Sequence, residues 1–139
     1  MNTDPSKPLP DPDGENGPFW EGASRGEVRV QRCTGCGLLR FPACRYCSRC
    51  LGEKSEWVRT NGRGEVETFC IFHRAYFPSF AADIPYNVAL VRLEEGPKMF
   101  TNLVGLAREE LRIGMKVRAV FERVSEAAAL VKFERDAGG

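Results

Sequence analysis

Cys33, Cys36, Cys47 and Cys50 form two Cys-x-x-Cys pairs with ten residues between them. Thiolates are soft ligands, and two such pairs at this separation can close a tetrahedron around one metal ion. Zinc is the usual occupant of a four-thiolate site, although iron fits the same geometry. Four protein ligands leave no position for water or substrate, so the metal is expected to hold structure rather than perform chemistry. Cys44 complicates the register, because Cys44-Arg45-Tyr46-Cys47 is also a Cys-x-x-Cys run. The pair Cys47 and Cys50 is preferred, since Leu51-Gly52 mirrors the turn that Gly37 makes after the first pair. Cys70 stands alone in an apolar run and reads as a small buried hydrophobe.

No second constellation offers catalysis. His73 is the single histidine, at the end of an apolar strand pattern, and no nucleophile turn, phosphate loop or paired histidine accompanies it. A lone histidine is most often structural. Glu94-Glu95 sits in a turn, where solvation accounts for it. The chain is therefore expected not to be an enzyme on its own.

The elements that must position the cysteines follow from the pattern around them. Residues 1–17 are rich in Pro, Asp, Gly and Asn and have almost nothing to bury, so they read as a mobile tail. Pro18 suits the first turn of a helix, and Phe19 to Arg25 reads as a short helix that ends at Gly26. Val28 to Arg32 alternates apolar and polar and leads as a strand into Cys33. The helix and metal ribbon together make up residues 18–61.

Residues 62–134 change character. Glu65 to His73, Tyr86 to Leu93, Lys98 to Val104, Lys116 to Val124 and Ala129 to Phe133 are rich in β-branched and aromatic residues and are separated by Gly and Pro turns. One helical turn, Leu106 to Leu111, falls between the third and fourth. Five strands with that interruption match a small five-stranded Greek-key barrel of the OB type. Residues 135–139 read as a second tail. The fold class is mainly β: a short N-terminal helix, a ribbon, then a barrel.

The 139 residues carry 42% hydrophobic and 28% charged side chains, a globular balance. No stretch has the roughly 20 apolar residues that span a bilayer. Met1 to Gly17 has neither the basic start nor the apolar centre of a secretory signal. The cytoplasm is the expected compartment, and cysteines there serve metals more often than disulfides. Net charge is +1, yet Arg29, Arg32, Arg40, Arg45, Arg49, Lys54, Arg59 and Arg63 face only Glu53 and Glu56 across the ribbon segment. Ribbons and OB barrels both serve nucleic-acid binding. That basic island, with the barrel aromatics Phe69, Phe72, Phe100 and Phe121, keeps a nucleic-acid module open as the alternative. The near-zero total charge speaks against it.

The ordered set of motifs resembles a known family. It comprises Pro18-Phe19-Trp20-Glu21-Gly22, Gln31-Arg32-Cys33-Thr34-Gly35-Cys36-Gly37, Arg40-Phe41-Pro42 and Cys47-Ser48-Arg49-Cys50. Glu56-Trp57, Gly62-Arg63-Gly64, His73-Arg74-Ala75, Pro85 to Val91, Glu95-Gly96, Thr101 to Val104 and Ile113 to Val117 complete it. These residues are similar to the zinc-ribbon/OB-fold proteins that accompany thiolases and related acyl-CoA enzymes, long known as a domain of unknown function. The resemblance covers about residues 18 to 133. It implies an N-terminal helical hairpin, a rubredoxin-like zinc ribbon and an OB barrel, with Cys33, Cys36, Cys47 and Cys50 as ligands of one structural Zn2+. Cys44 departs from the family pattern.

By the same resemblance the chain is a non-catalytic accessory subunit. Its partner would be a thiolase-fold protein that makes or breaks a carbon–carbon bond next to a CoA thioester. Basic side chains recognise the phosphates of CoA well, and Arg63, Arg74 and Lys98 are the candidates to hold them. Tyr76, Phe77 and Phe80 place three aromatics in five residues of a loop, a density typical of the centre of a protein interface. They are the candidate surface for that partner.

Overall fold

The computed structural model describes residues 14–74, 85–126 and 128–136. One helix, α1 (Gly17–Ser24), precedes eight strands: β1 (Arg29–Cys33), β2 (Leu39–Arg40), β3 (Ser55–Arg59), β4 (Arg63–Phe72), β5 (Tyr86–Leu93), β6 (Lys98–Thr101), β7 (Lys116–Arg123) and β8 (Ala129–Arg135). They form a three-stranded ribbon sheet, β2-β1-β3, and a five-stranded curled sheet, β6-β5-β4-β7-β8. Every pairing within both sheets is antiparallel. The expected mainly β fold of helix, ribbon and OB-type sheet is what the chain adopts.

Helix α1 starts at Gly17 with proline in its first turn and buries Phe19, Gly22 and Ala23. The Phe19 ring lies 4.8 Å from Phe41, so the helix sits on the ribbon by aromatic contact, with Trp20 of the same helix 4.9 Å away. Gly26, in the left-handed region at φ 78°, turns the chain into β1 as the sequence suggested. Gly14 to Gly17, assigned to the tail, already form the turn into α1: Gly17 N–H donates to Gly14 O at 2.9 Å. At the other end Arg135 still pairs with Val117, so β8 runs into the segment assigned to the second tail. A helical hairpin is not found among the described residues, which hold only α1 and a 3-10 turn at Arg108–Glu110.

The barrel core consists of inward residues at alternate positions: Val66, Ala89, Val91, Leu93, Met99, Val117 and Phe133. Gly64 lies where a Cβ would come within 2.6 Å of Arg92 O, so the close approach of β4 to β5 requires glycine there. A bulge between Val66 and Thr68 bends β4 and shifts its alternation. This shift corrects one expectation: Cys70 is exposed, not buried, because beyond the bulge it faces outward with Thr68. The sheet closes on itself where Phe133 N–H donates to Asn102 O (3.1 Å), Val104 N–H donates to Phe133 O (2.9 Å) and Thr101 Oγ1 donates to Val131 O (2.9 Å). For that reason the third barrel strand stops at Thr101 rather than Val104. Residues beyond Thr101 turn toward β8 instead.

Polar contacts extend the ribbon sheet and tie it and α1 to the barrel. Thr60 is buried and bonds Val28 O through both N–H (2.8 Å) and Oγ1 (2.9 Å). Asn61 N–H donates to Glu95 Oε2 at 2.8 Å, and Arg123 Nη2 donates to Ser24 O at 2.7 Å, covering the last turn of α1.

Candidate metal centre

Each cysteine pair sits on a tight turn, and the two turns repeat one another. Cys33 N–H donates to Leu38 O and Gly37 N–H to Cys33 O, at 2.9 and 2.8 Å; Cys47 N–H donates to Gly52 O and Leu51 N–H to Cys47 O, both at 2.9 Å. The residue after each pair is left-handed: Gly37 at φ 80° and Leu51 at φ 64°. Glycine takes that conformation freely, whereas leucine does so at a cost of about 1 kcal/mol. Leu51 is nonetheless 75% exposed, so what holds it is the turn rather than packing.

The turns bring Cys33, Cys36, Cys47 and Cys50 together with all four Sγ atoms within 4.8 Å of one another. Cys33 Sγ lies 3.5 Å from Cys50 Sγ, and Cys36 Sγ lies 3.6 Å from Cys47 Sγ. A tetrahedron with Zn–S bonds of about 2.3 Å has S–S edges of about 3.8 Å, so the donor set fits one zinc ion. Cys44 is outside the cluster; it is exposed and its thiol donates to Tyr46 O at 3.1 Å. Replacing Cys44 by serine is therefore expected to leave about one zinc per chain. Metal analysis of the purified variant checks this, and loss of the ion would mean that Cys44 belongs to the ligand set.

The electrostatics favour a dication. Backbone N–H groups, chiefly that of Cys36, hold the Cys33 thiol down at about 6. The N–H of Cys50, then that of Arg49, lowers Cys47 likewise. Cys50 goes the other way, to about 11: the Gly52 N–H pulls it down, but the adjoining Cys33 and Cys36 outweigh it. Four sulfurs this close cannot all carry charge without a cation, and zinc removes that conflict. Arg49 adds positive charge beside them. Its Nη2 donates to Cys36 O at 2.7 Å, and the Cys36 thiolate it lies against raises its own pKa.

The remaining candidates do not converge. Arg63 opens β4 and reaches Asp136 at 3.7 Å; Lys98 opens β6 and reaches Glu67 at 2.9 Å. Arg74 lies past the other end of β4 from Arg63. Tyr76, Phe77 and Phe80 lie outside the described residues. His73 is exposed beyond the end of β4. Among the described residues no second group of three or more His, Cys, Asp or Glu side chains could hold a metal. No described helix is long and apolar enough to cross a membrane.

The basic island is largely spoken for. Arg29 and Arg59 share Glu27 (2.8 and 3.5 Å), Arg32 pairs with Glu56 (3.2 Å), and Arg45 lies 4.0 Å from Glu53. Sequence reasoning counted Arg40 with the basic island, whereas it is buried, bonded to Gln31 of β1 and to the Cys44 carbonyl. Its position in the Arg-Phe-Pro motif was the signal that set it apart from the other basic residues.

Comparison with known proteins agrees with this geometry. The ChsH2 rubredoxin-like zinc ribbon domain matches residues 20–56, and the ChsH2 C-terminal OB-fold domain matches residues 57–122. A probable enoyl-CoA hydratase alpha subunit of Thermomonospora curvata is 36% identical over 80% of this chain and 34% of its own length. A DUF35 domain-containing scaffold protein of Methanocaldococcus jannaschii is 35% identical over 68% of this chain and 67% of its own. The chain thus spans about a third of the first relative and two thirds of the second. In the solved structure of an Ltp2-ChsH2(DUF35) aldolase, a 32% identical chain superposes with a TM-score of 0.80, covering 93% of this chain and 98% of that one. With ribbon and barrel both matched and the cysteine cluster in place, the chain belongs to the ChsH2-type DUF35 family of zinc-ribbon/OB-fold proteins.

Proposed function

We propose that this chain is a non-catalytic, zinc-bearing accessory subunit of a complex that makes or breaks a carbon–carbon bond beside a CoA thioester. The observation that carries the proposal is the closed four-thiolate cluster, which is a structural centre with no room for substrate. The names of the relatives support it: one is a scaffold protein, one a probable enoyl-CoA hydratase alpha subunit, and one belongs to an Ltp2-ChsH2(DUF35) aldolase.

In this reading a thiolase-fold partner carries the nucleophile. Tyr76, Phe77 and Phe80 meet that partner, while Arg63 and Lys98 at one end of the sheet, or Arg74 at the other, hold CoA phosphates. The carboxylates beside Arg63 and Lys98 must then give way to phosphate oxygens. The cytoplasm is the compartment proposed, because the thiolates must stay reduced. A nucleic-acid role draws little support from the ribbon, where Arg29, Arg32, Arg45 and Arg59 lie beside Glu27, Glu53 and Glu56.

The test is a thioester assay on the isolated, zinc-loaded chain, with single-strand binding measured in parallel at physiological salt. Neither cleavage nor condensation of acyl-CoA is expected, because no activated nucleophile or open metal position is present among the described residues. Turnover that persists through purification to homogeneity would contradict the proposal.

A further inference from the structure

Leu51 gains nothing for the free chain, either from its backbone or from its side chain. Among the described residues it is the one non-glycine in the left-handed region, at φ 64°, and its side chain stands 75% exposed. Gly37 makes the same turn after the first cysteine pair at φ 80° without strain. Phe100 and Ile113 are comparably exposed, but their backbone is not left-handed, and single exposed apolar residues are ordinary. Leucine at position 51 is both strained and unburied. Strain kept for a side chain that the fold does not use points to a contact made outside the chain.

The residues around Leu51 say what that contact carries. Leu51 N–H donates to Cys47 O and Cys47 N–H to Gly52 O, so Tyr46 and Leu51 flank one turn. Tyr46 is 50% exposed, and the Arg45 guanidinium lies over its ring, 5.5 Å from the centroid. The carboxylate beside Arg45 is that of Glu53, at 4.0 Å, which is beyond hydrogen-bond reach. The planar fork of Arg45 can therefore take another carboxylate. Lysine ion pairs among the described residues involve Lys98, Lys116 and Lys132, and Lys54 enters none of them. Arg49 is turned onto Cys36 O, toward the sulfur cluster. Two cations beside one glutamate thus surround an exposed leucine and tyrosine, a combination that suits an acidic rim around an apolar recess.

We infer that the second zinc knuckle is a docking surface, in which Leu51 enters an apolar socket of the partner subunit and carboxylates at the rim pair with Arg45 and Lys54. The inference rests on the accessory-subunit reading and adds a contact on the ribbon to the loop named there. Of the four candidate ligands, Cys50 is the exposed one, and it adjoins Leu51. A partner seated on Leu51 covers it, so assembly also shields the metal centre.

The experiment uses the full zinc-loaded chain and the thiolase-fold acyl-CoA enzyme that it retains, each purified separately. Glycine suits the left-handed position, so free Leu51→Gly is expected to keep its zinc, with a thermal midpoint that does not fall. Its Kd for the enzyme is expected to rise about tenfold, the loss of one buried leucine side chain. Arg45→Glu is expected to raise Kd by about the same factor, and more at low salt than at high salt. A chelator is expected to withdraw zinc several times more slowly from the wild-type complex than from the free chain. Wild-type affinity in either variant overturns the inference and leaves the accessory role standing, as does a zinc-release rate that the enzyme does not change. A wild-type chain that binds no such enzyme takes both down together.

Discussion

Cys33→Ser and Cys50→Ser are each expected to take the protein from about one zinc per chain to none under mild chelation. Serine keeps the size of the side chain but cannot supply a thiolate, and three sulfurs do not close the tetrahedron. The consequence reaches the fold. Cys33 ends β1 opposite Ser55 of β3, and β2 is only two residues long, so the ribbon sheet depends on the cluster at its tip. Binding free energy of a structural zinc is folding free energy, on the order of 10 kcal/mol in small zinc domains. Metal analysis and circular dichroism of the two variants check this. A Cys50→Ser protein that retained full zinc would show that another thiol had replaced it.

The next largest effect is expected in the barrel. Phe133 is fully buried, and its backbone makes the bonds that close the sheet at Asn102 and Val104. Phe133→Ala leaves those bonds in place but opens a large cavity beneath them, at a cost of about 3–5 kcal/mol. Urea unfolding measures it. Zinc content is expected to stay unchanged, because the four-cysteine cluster lies at the tip of the ribbon sheet rather than in the barrel. A loss below about 1 kcal/mol would mean that the closure is not packed around this ring.

These two sites also mark what can be read from sequence. The cysteine quartet was legible because metal ligation needs particular residue types at particular spacings, and the turn after each pair fixed the register. Tyr86 to Leu93 was legible because its inward residues alternate without interruption; β5 has those bounds. Strands β2 and β3 were not, since Leu39-Arg40 and Ser55 to Arg59 carry no apolar period and are held by pairing to β1. Cys70 was misplaced because a bulge inverts the alternation halfway along β4, and nothing local in Glu67-Thr68 announces it. The left-handed Leu51 was hidden for a similar reason: the turn imposes it against the residue's own preference. Charge was the least legible. Eight basic residues in one segment suggested an anion-binding face, yet Arg29, Arg32, Arg45 and Arg59 end beside glutamates, and the buried Arg40 is held by Gln31 and the Cys44 carbonyl instead.

Assembly is the central claim, and affinity purification of the tagged, zinc-bearing chain from its native host tests it most directly. A thiolase-fold acyl-CoA enzyme is expected to be retained in stoichiometric amount. Phe77→Ala combined with Phe80→Ala is expected to cost that association about 2–4 kcal/mol, the range of interface hot spots, with zinc content intact. A zinc-loaded wild-type chain that elutes alone would contradict the account.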